Sequence, residues 1–209
     1  MIAESIADYT GMEWPVPFGN LGYISFVNTP ITDNDLVQLK DFRNFQGLYI
    51  SGTKVTGAGL VHLKDLTDLE YLCFENVVIT DADLVHLKGL KNLNDLTLNQ
   101  TQVTDAGLVH LKILTKLTSL SIGGTSVSDA GLVHLKSLSN LETLNLSDTK
   151  ITDAGLIHLK GLPKLKRLYV NNAHLTIHGY LSLESALPDC RIQWYPPGFV
   201  PSKLESHNE

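Results

Sequence analysis

LTSLSIGGTSVSDAGLVHLKSLSN, residues 117–140, is one copy of a 24-residue unit, and its reading decides the fold. Leu120 and Ile122 alternate with Ser119, Ser121 and Gly123, the period-two pattern of a short strand with one buried face. Thr125 and Val127 follow as the chain turns. Ser128-Asp129 then supplies a helix start, a hydroxyl cap followed by a carboxylate at the positive end of the helix dipole. Leu132, Leu135 and Leu138 recur every three residues, so one face of a short helical segment points inward.

The unit is written seven times between residues 21 and 188, starting at Leu21, Phe45, Leu69, Leu93, Leu117, Leu141 and Leu165. The same anchors return in each copy: Ile24, Phe26, Ile31, Leu36, Leu39 and Phe42 in the first, Leu144, Leu146, Ile151, Leu156, Leu159 and Leu162 in the sixth. A covered anchor is worth roughly 1.5–3 kcal/mol of transfer free energy. Ordering a whole unit costs a similar total, so a lone unit should not fold and stability must come from stacking. Strands on one side and wider helical segments on the other require the stack to curve.

The recurring L-x-x-L-x-L and Thr-Asp-Ala-Gly-Leu segments resemble the leucine-rich repeat family, in a bacterial 24-residue form. The resemblance implies an α/β fold: a right-handed horseshoe with a concave parallel sheet and a convex back of short helices. It also implies binding of a partner, commonly a protein on the concave face. One position departs from the family pattern. The ninth residue, usually Asn, is Thr29, Thr53, Thr101, Thr125 and Thr149, with Val77 and Ala173 in the third and seventh units. A hydroxyl can bond the turn backbone; Val77 and Ala173 cannot.

Such a stack needs capped ends. Residues 1–20 carry Ile2, Ile6 and Tyr9 at helical spacing, then Trp14-Pro15-Val16-Pro17-Phe18, and are expected to plug the first unit. Residues 189–209 are expected to give a closing strand around Ile192 and Trp194, one residue out of period, then a mobile Pro-rich tail.

A net charge of -6 argues against a nucleic-acid binder, which needs a basic stripe. No apolar run approaches membrane-spanning length. Two cysteines make no disulfide framework, and the first residues lack the pattern of a secretory leader, so a cytoplasmic location is expected.

The histidine column, His62, His86, His110, His134 and His158, invites a metal reading. Stacked segments roughly 8–10 Å apart cannot converge on one ion with ligands at about 2.1 Å. The histidines are instead expected to flank the inward leucines. Beside them Val37, Val61, Val85, Val109, Val133 and Ile157 are expected to be covered by neighbouring segments and by the stems of the Lys40 to Lys160 column; left open, they would form an association stripe.

Strand positions three, five and seven face away from the core. There Tyr23, Tyr49, Tyr71, Glu75, Asp95, Asn145, Arg167 and Tyr169 are the candidate binding residues, tyrosine and arginine being common binding hot spots. The sequence has no phosphate-binding Gly-rich loop, no G-x-S-x-G and no H-E-x-x-H, and Cys73 has no activating base in its layer. The expectation is a non-catalytic protein- or peptide-binding scaffold, without cofactor or metal, monomeric or weakly self-associating. The alternatives are a structural module associating through the Val column or its ends, and the recognition part of a larger enzyme or effector.

Overall fold

A computed structural model describes residues 22–41 and 45–198. The expected N-terminal plug, Leu21 and Phe42, and the tail beyond residue 198 lie outside those residues. Eight three-residue strands form one parallel sheet in sequence order: β1 (Tyr23–Ser25), β2 (Gly47–Tyr49), β3 (Tyr71–Cys73), β4 (Asp95–Thr97), β5 (Ser119–Ser121), β6 (Thr143–Asn145), β7 (Arg167–Tyr169) and β8 (Arg191–Gln193). Every pairing advances by 24 residues, as in Leu96↔Leu120 and Leu120↔Leu144. Identical positions therefore stack into columns. The last pairing, Leu168↔Ile192, keeps this spacing, so the expected one-residue departure does not occur in β8.

Short 3-10 and α segments return the chain between strands, for example Asp129–Leu132 continuing into Val133–Ser137. Three residues per 3-10 turn match the Leu132, Leu135, Leu138 spacing, and all three side chains are buried. The last return is a longer α-helix, Ile177–Ala186. Leu48, Leu72, Leu96, Leu120, Leu144 and Leu168 run down the middle of one continuous apolar core. Each inward leucine is covered by residues of the units on either side, which is why no unit can fold by itself.

Position eight of every unit is left-handed, with φ of 55–58° at Asn28, Asn76, Gln100, Asp148 and Asn172 and of 66° and 67° at Gly52 and Gly124. Asn, Asp and Gly tolerate this region best. One residue on, the threonine hydroxyl turns back: Oγ1 of Thr101, Thr125 and Thr149 donates to the carbonyl three residues earlier at 2.6–2.7 Å. Val77 and Ala173 fill the same buried place with carbon. Backbone bonds serve those two turns, Ile79 N–H to Val77 O at 3.0 Å and Ala173 N–H to Val170 O at 3.2 Å.

In the Thr-Asp-Ala-Gly-Leu segment the hydroxyl does more than cap its own helix, as those of Thr56, Thr152 and Thr176 do. Ser128 does not cap its own segment through its side chain. Its N–H and hydroxyl both donate to the Asp105 carboxylate of the preceding unit, at 2.7 and 2.5 Å. Asp129 in turn receives Thr152, Asp81 receives Thr104, Asp33 receives Thr56 and Asp153 receives Thr176. The aspartate is thus a bracket between units rather than a dipole partner for its own segment. The glycine three residues past each donating hydroxyl makes room: a Cβ on Gly107 would lie 2.4 Å from Asp81 Oδ1, and one on Gly131 2.4 Å from Asp105 Oδ1.

Two units receive no such carboxylate from a described unit before them and supply the acceptor internally. The first has no described unit before it, and the third follows Gly57, which carries no carboxylate. There Asp35 and Asp83 replace the glycine and accept from Thr32 and Thr80 of their own units, at 2.7–2.9 and 2.6–2.8 Å. The Asp83 carboxylate occupies the space that a side chain at Gly57 would take.

Candidate recognition surface on the sheet

The period-two strand pattern turns every candidate binding residue to the sheet face opposite the core. Tyr23, Tyr71, Asp95 and Arg167 stand in the first strand column and Tyr49, Asn145 and Tyr169 in the second, while Glu75 lies in the turn that follows β3. Tyr23, Glu75 and Arg167 are exposed and the other five half-buried. The structure places six of them in two end groups and leaves Glu75 and Asn145 on the polar middle between. From β3 to β7 is four strand spacings, roughly 19 Å.

The first group is aromatic. Gly47 separates Tyr23 from Tyr71 in their column, and the Tyr23 ring lies over it: a Cβ at 47 would be 2.1 Å from Tyr23 Cδ1. That collapse brings the Tyr23 and Tyr71 ring centroids to 5.6 Å, tilted by 55°, and the Tyr23 and Tyr49 centroids to 6.3 Å, tilted by 39°. Such tilted pairs match the quadrupoles of the rings. Burial, then Tyr23, raises the Tyr49 hydroxyl above its ordinary value; Tyr23, then burial, does so for Tyr71. Asp95 acts on both hydroxyls in the same direction. Its own carboxyl is pushed up by burial, opposed by a hydrogen bond from Ser119. Beside them Ser51 Oγ and Cys73 Sγ share a 3.1 Å hydrogen bond.

The middle of the face is a polar network. Asn99 Oδ1 accepts from Ser121 Oγ at 2.7 Å and from the Gly123 N–H at 2.8 Å, and Asn145 Nδ2 donates to Ser121 Oγ at 2.9 Å. Gly123 and Gly124 leave a shallow depression bordered by Glu75, Asn99, Asn145 and Ser147. Sequence reading passed over this depression because glycine carries no chemical signal of its own.

The second group is basic. Arg167 pairs in register with Arg191, and its Nε donates to Thr143 Oγ1 at 3.0 Å. Lys166 bridges to Glu142 at 2.9 Å, which holds the Glu142 carboxyl below its ordinary value. Tyr169 sits alongside, and Asn171 Oδ1 is a buried acceptor with no hydrogen-bond partner among the described residues. Tyr180 stacks on Trp194 at 5.3 Å where the last helix meets β8.

On the helical back the five column histidines are half-buried, flanking the leucines. No group of three or more potential metal ligands occurs among the described residues. The valine column corrects the expectation that it is covered. Val37, Val61 and Val85 are half-buried, but Val109, Val133 and Ile157 are 41%, 46% and 62% exposed. In a 3-10 segment the residue after an inward leucine points about a third of a turn outward. Neither the neighbouring segment nor a lysine stem closes over it in the later units. Among the described residues no helix is long and apolar enough to cross a membrane.

An open parallel sheet backed by short helices, with unit-to-unit columns and an apolar interior, defines a solenoid. Residues 139–177 match the family model described as leucine-rich repeats, two copies. The fold is that of a leucine-rich repeat solenoid. Among solved structures it is similar to internalin C2 of Listeria monocytogenes, at 25% identity and a TM-score of 0.62, covering 93% of this chain and 92% of that one. It also superposes on internalin F of the same organism, at 20% identity and a TM-score of 0.58, covering 81% of this chain and 52% of that one. A leucine-rich repeat protein of Leptospira interrogans gives 19% identity and a TM-score of 0.58, covering 76% of this chain and 38% of that one. The chain therefore spans about half of internalin F and less of the leptospiral protein. Among curated proteins none matches. Folds of this family commonly mediate protein–protein binding.

Proposed function

We propose that this chain is a non-catalytic scaffold that holds a protein or extended peptide on its concave sheet face. The observation that carries the reading is the aromatic end of that face. Three tyrosines cluster on adjacent strands, and the half-buried Asp95 carboxylate, whose ionisation burial disfavours, stands beside them on the next strand. A buried group that costs the fold stability and sits among aromatic side chains on an open surface is a candidate for recognition. The polar middle presents side-chain amides and hydroxyls that a peptide backbone can hydrogen-bond, and Tyr169 with Arg167 supplies a second anchor. No nucleophile stands beside an activating base on this face: Cys73 pairs with Ser51 and not with a histidine.

The test is capture of binding partners by the wild-type chain against a Tyr49→Ala, Tyr71→Ala, Tyr169→Ala variant, with Ile157→Ser on the back as control. The reading expects the triple variant to lose the partner and the control to keep it. The reverse pattern overturns it.

A second reading draws on the exposed stripe of Val109, Val133 and Ile157, continued by Ile113, Ile177 and Leu181. Exposed apolar surface of this kind marks association. Light scattering over a concentration series decides: a strict monomer removes self-association through the back.

A further inference from the structure

The first strand column begins Tyr23, Gly47, Tyr71, Asp95 on four adjacent strands. The missing side chain at Gly47 lets the Tyr23 ring cross a whole strand to reach Tyr71, so two rings that would stand about 9.6 Å apart come within 5.6 Å. Tyr49 closes a third side. Asp95 stands at the rim on the next strand. Burial and a hydrogen bond from Ser119 act on Asp95, and among the described residues it is in no ion pair. Glu70 and Glu75 add negative charge nearby, the former felt by the Tyr71 hydroxyl. Among the described residues the outward strand positions of β1 to β6 hold no lysine or arginine; the first are Arg167 and Arg191 on β7 and β8.

Aromatic faces carry negative quadrupole potential and attract organic cations within about 6 Å of a ring centroid. A carboxylate short of counter-charge adds a full negative charge in the same place. The far end of the trough repels a cation through its paired arginines. Resting on the reading that the concave face binds a peptide, we propose that Tyr23, Tyr49, Tyr71 and Asp95 form the subsite for a lysine or arginine side chain of that peptide. The aliphatic stem lies against the rings, and the charged head meets the Asp95 carboxylate. A bound cation stabilises ionised Asp95, so occupancy reverses the cost that burial imposes on it.

The experiment titrates the full chain with acetyl-arginine amide and acetyl-lysine amide, with acetyl-citrulline amide as the neutral control, reading tyrosine ring resonances by NMR. Both cations are expected to shift Tyr23, Tyr49 and Tyr71 saturably in the millimolar range, and citrulline to leave them in place. Asp95→Asn should weaken the cations roughly three- to thirtyfold. Gly47→Ala, which displaces the Tyr23 ring without removing an aromatic or touching the core, should weaken them as well. Citrulline acting as strongly as arginine, or no tyrosine shift with either cation, overturns the subsite. A selection of linear peptides on the intact chain separates the two levels. Peptides that cross-link to Tyr169 yet show no lysine or arginine enrichment and ignore Asp95→Asn overturn the subsite and leave the broader reading standing. Peptides that cross-link only to the helical back overturn the broader reading, and the small-cation titration then still decides the subsite.

Discussion

Asp105 illustrates how one side chain ties two units together. Both its oxygens accept from Ser128, one from the N–H and one from the hydroxyl, and charge-assisted bonds of this kind contribute about 1.5–3 kcal/mol each net of the water they replace. Gly57 and Asp83 are the counterpart in which the bracket has been relocated. Gly57→Asp alone should push two carboxylates into one space, and Asp83→Gly alone should leave Thr80 unbracketed, each costing about 1–3 kcal/mol in denaturant unfolding. The double variant rebuilds the arrangement of the other units and should recover most of the loss. Additive losses would refute the relocation. Asp95 works in the opposite sense. Its folded carboxyl titrates above its unfolded value, so the folded state binds the proton more readily and stability falls as pH rises through that window. Asp95→Asn should therefore melt higher than wild type at pH 7, with the advantage vanishing below the ordinary carboxylate range. A lower melting temperature at pH 7 would contradict the assignment.

Strand faces were legible in the sequence because side chains alternate with period two, and Leu120 inside with Ser121 outside follows from that alone. Leu120→Ala should cost about 2–5 kcal/mol and Ser121→Ala about 1 kcal/mol or less in chemical denaturation. Equal costs would reverse the faces. The helical back was legible as inward leucines at every third residue. Its outer surface was not, since whether a neighbour covers Val133 depends on the spacing between segments rather than on the residues themselves. The aspartate brackets escaped because Asp105 and Ser128 are 23 positions apart. A signal existed, though: aspartate replaces the usual glycine only in the units of Asp35 and Asp83, where no bracket arrives from a described unit. The tyrosine cluster also needed coordinates, because Tyr23 meets Tyr71 two units away only across Gly47. On the same back, His134 is held below its ordinary value by burial and by Lys112, against the pull of Asp105. The unfolded chain therefore protonates first, and stability present above about pH 6.5 is lost as pH falls. His134→Gln should flatten part of that decline in melting temperature; an unchanged profile would exclude His134 as its source.

At the scale of the whole molecule, a single apolar interior threads all eight strands, and the two surfaces it separates differ in kind. The back repeats a histidine in five successive units and a lysine in six, and changes along its length mainly in how far the valine column is uncovered. The sheet face changes from aromatic and acidic, through small and polar, to basic. Repetition that stabilises a stack has no reason to produce such a gradient, whereas recognition of an extended partner does. Placing a photoreactive amino acid at Tyr49, Ser121 or Tyr169 on the face, and at Val133 or Ile157 on the back, tests this claim most directly. The account expects partner cross-links from the three face positions and none from the back. Cross-links confined to Val133 and Ile157 would contradict it.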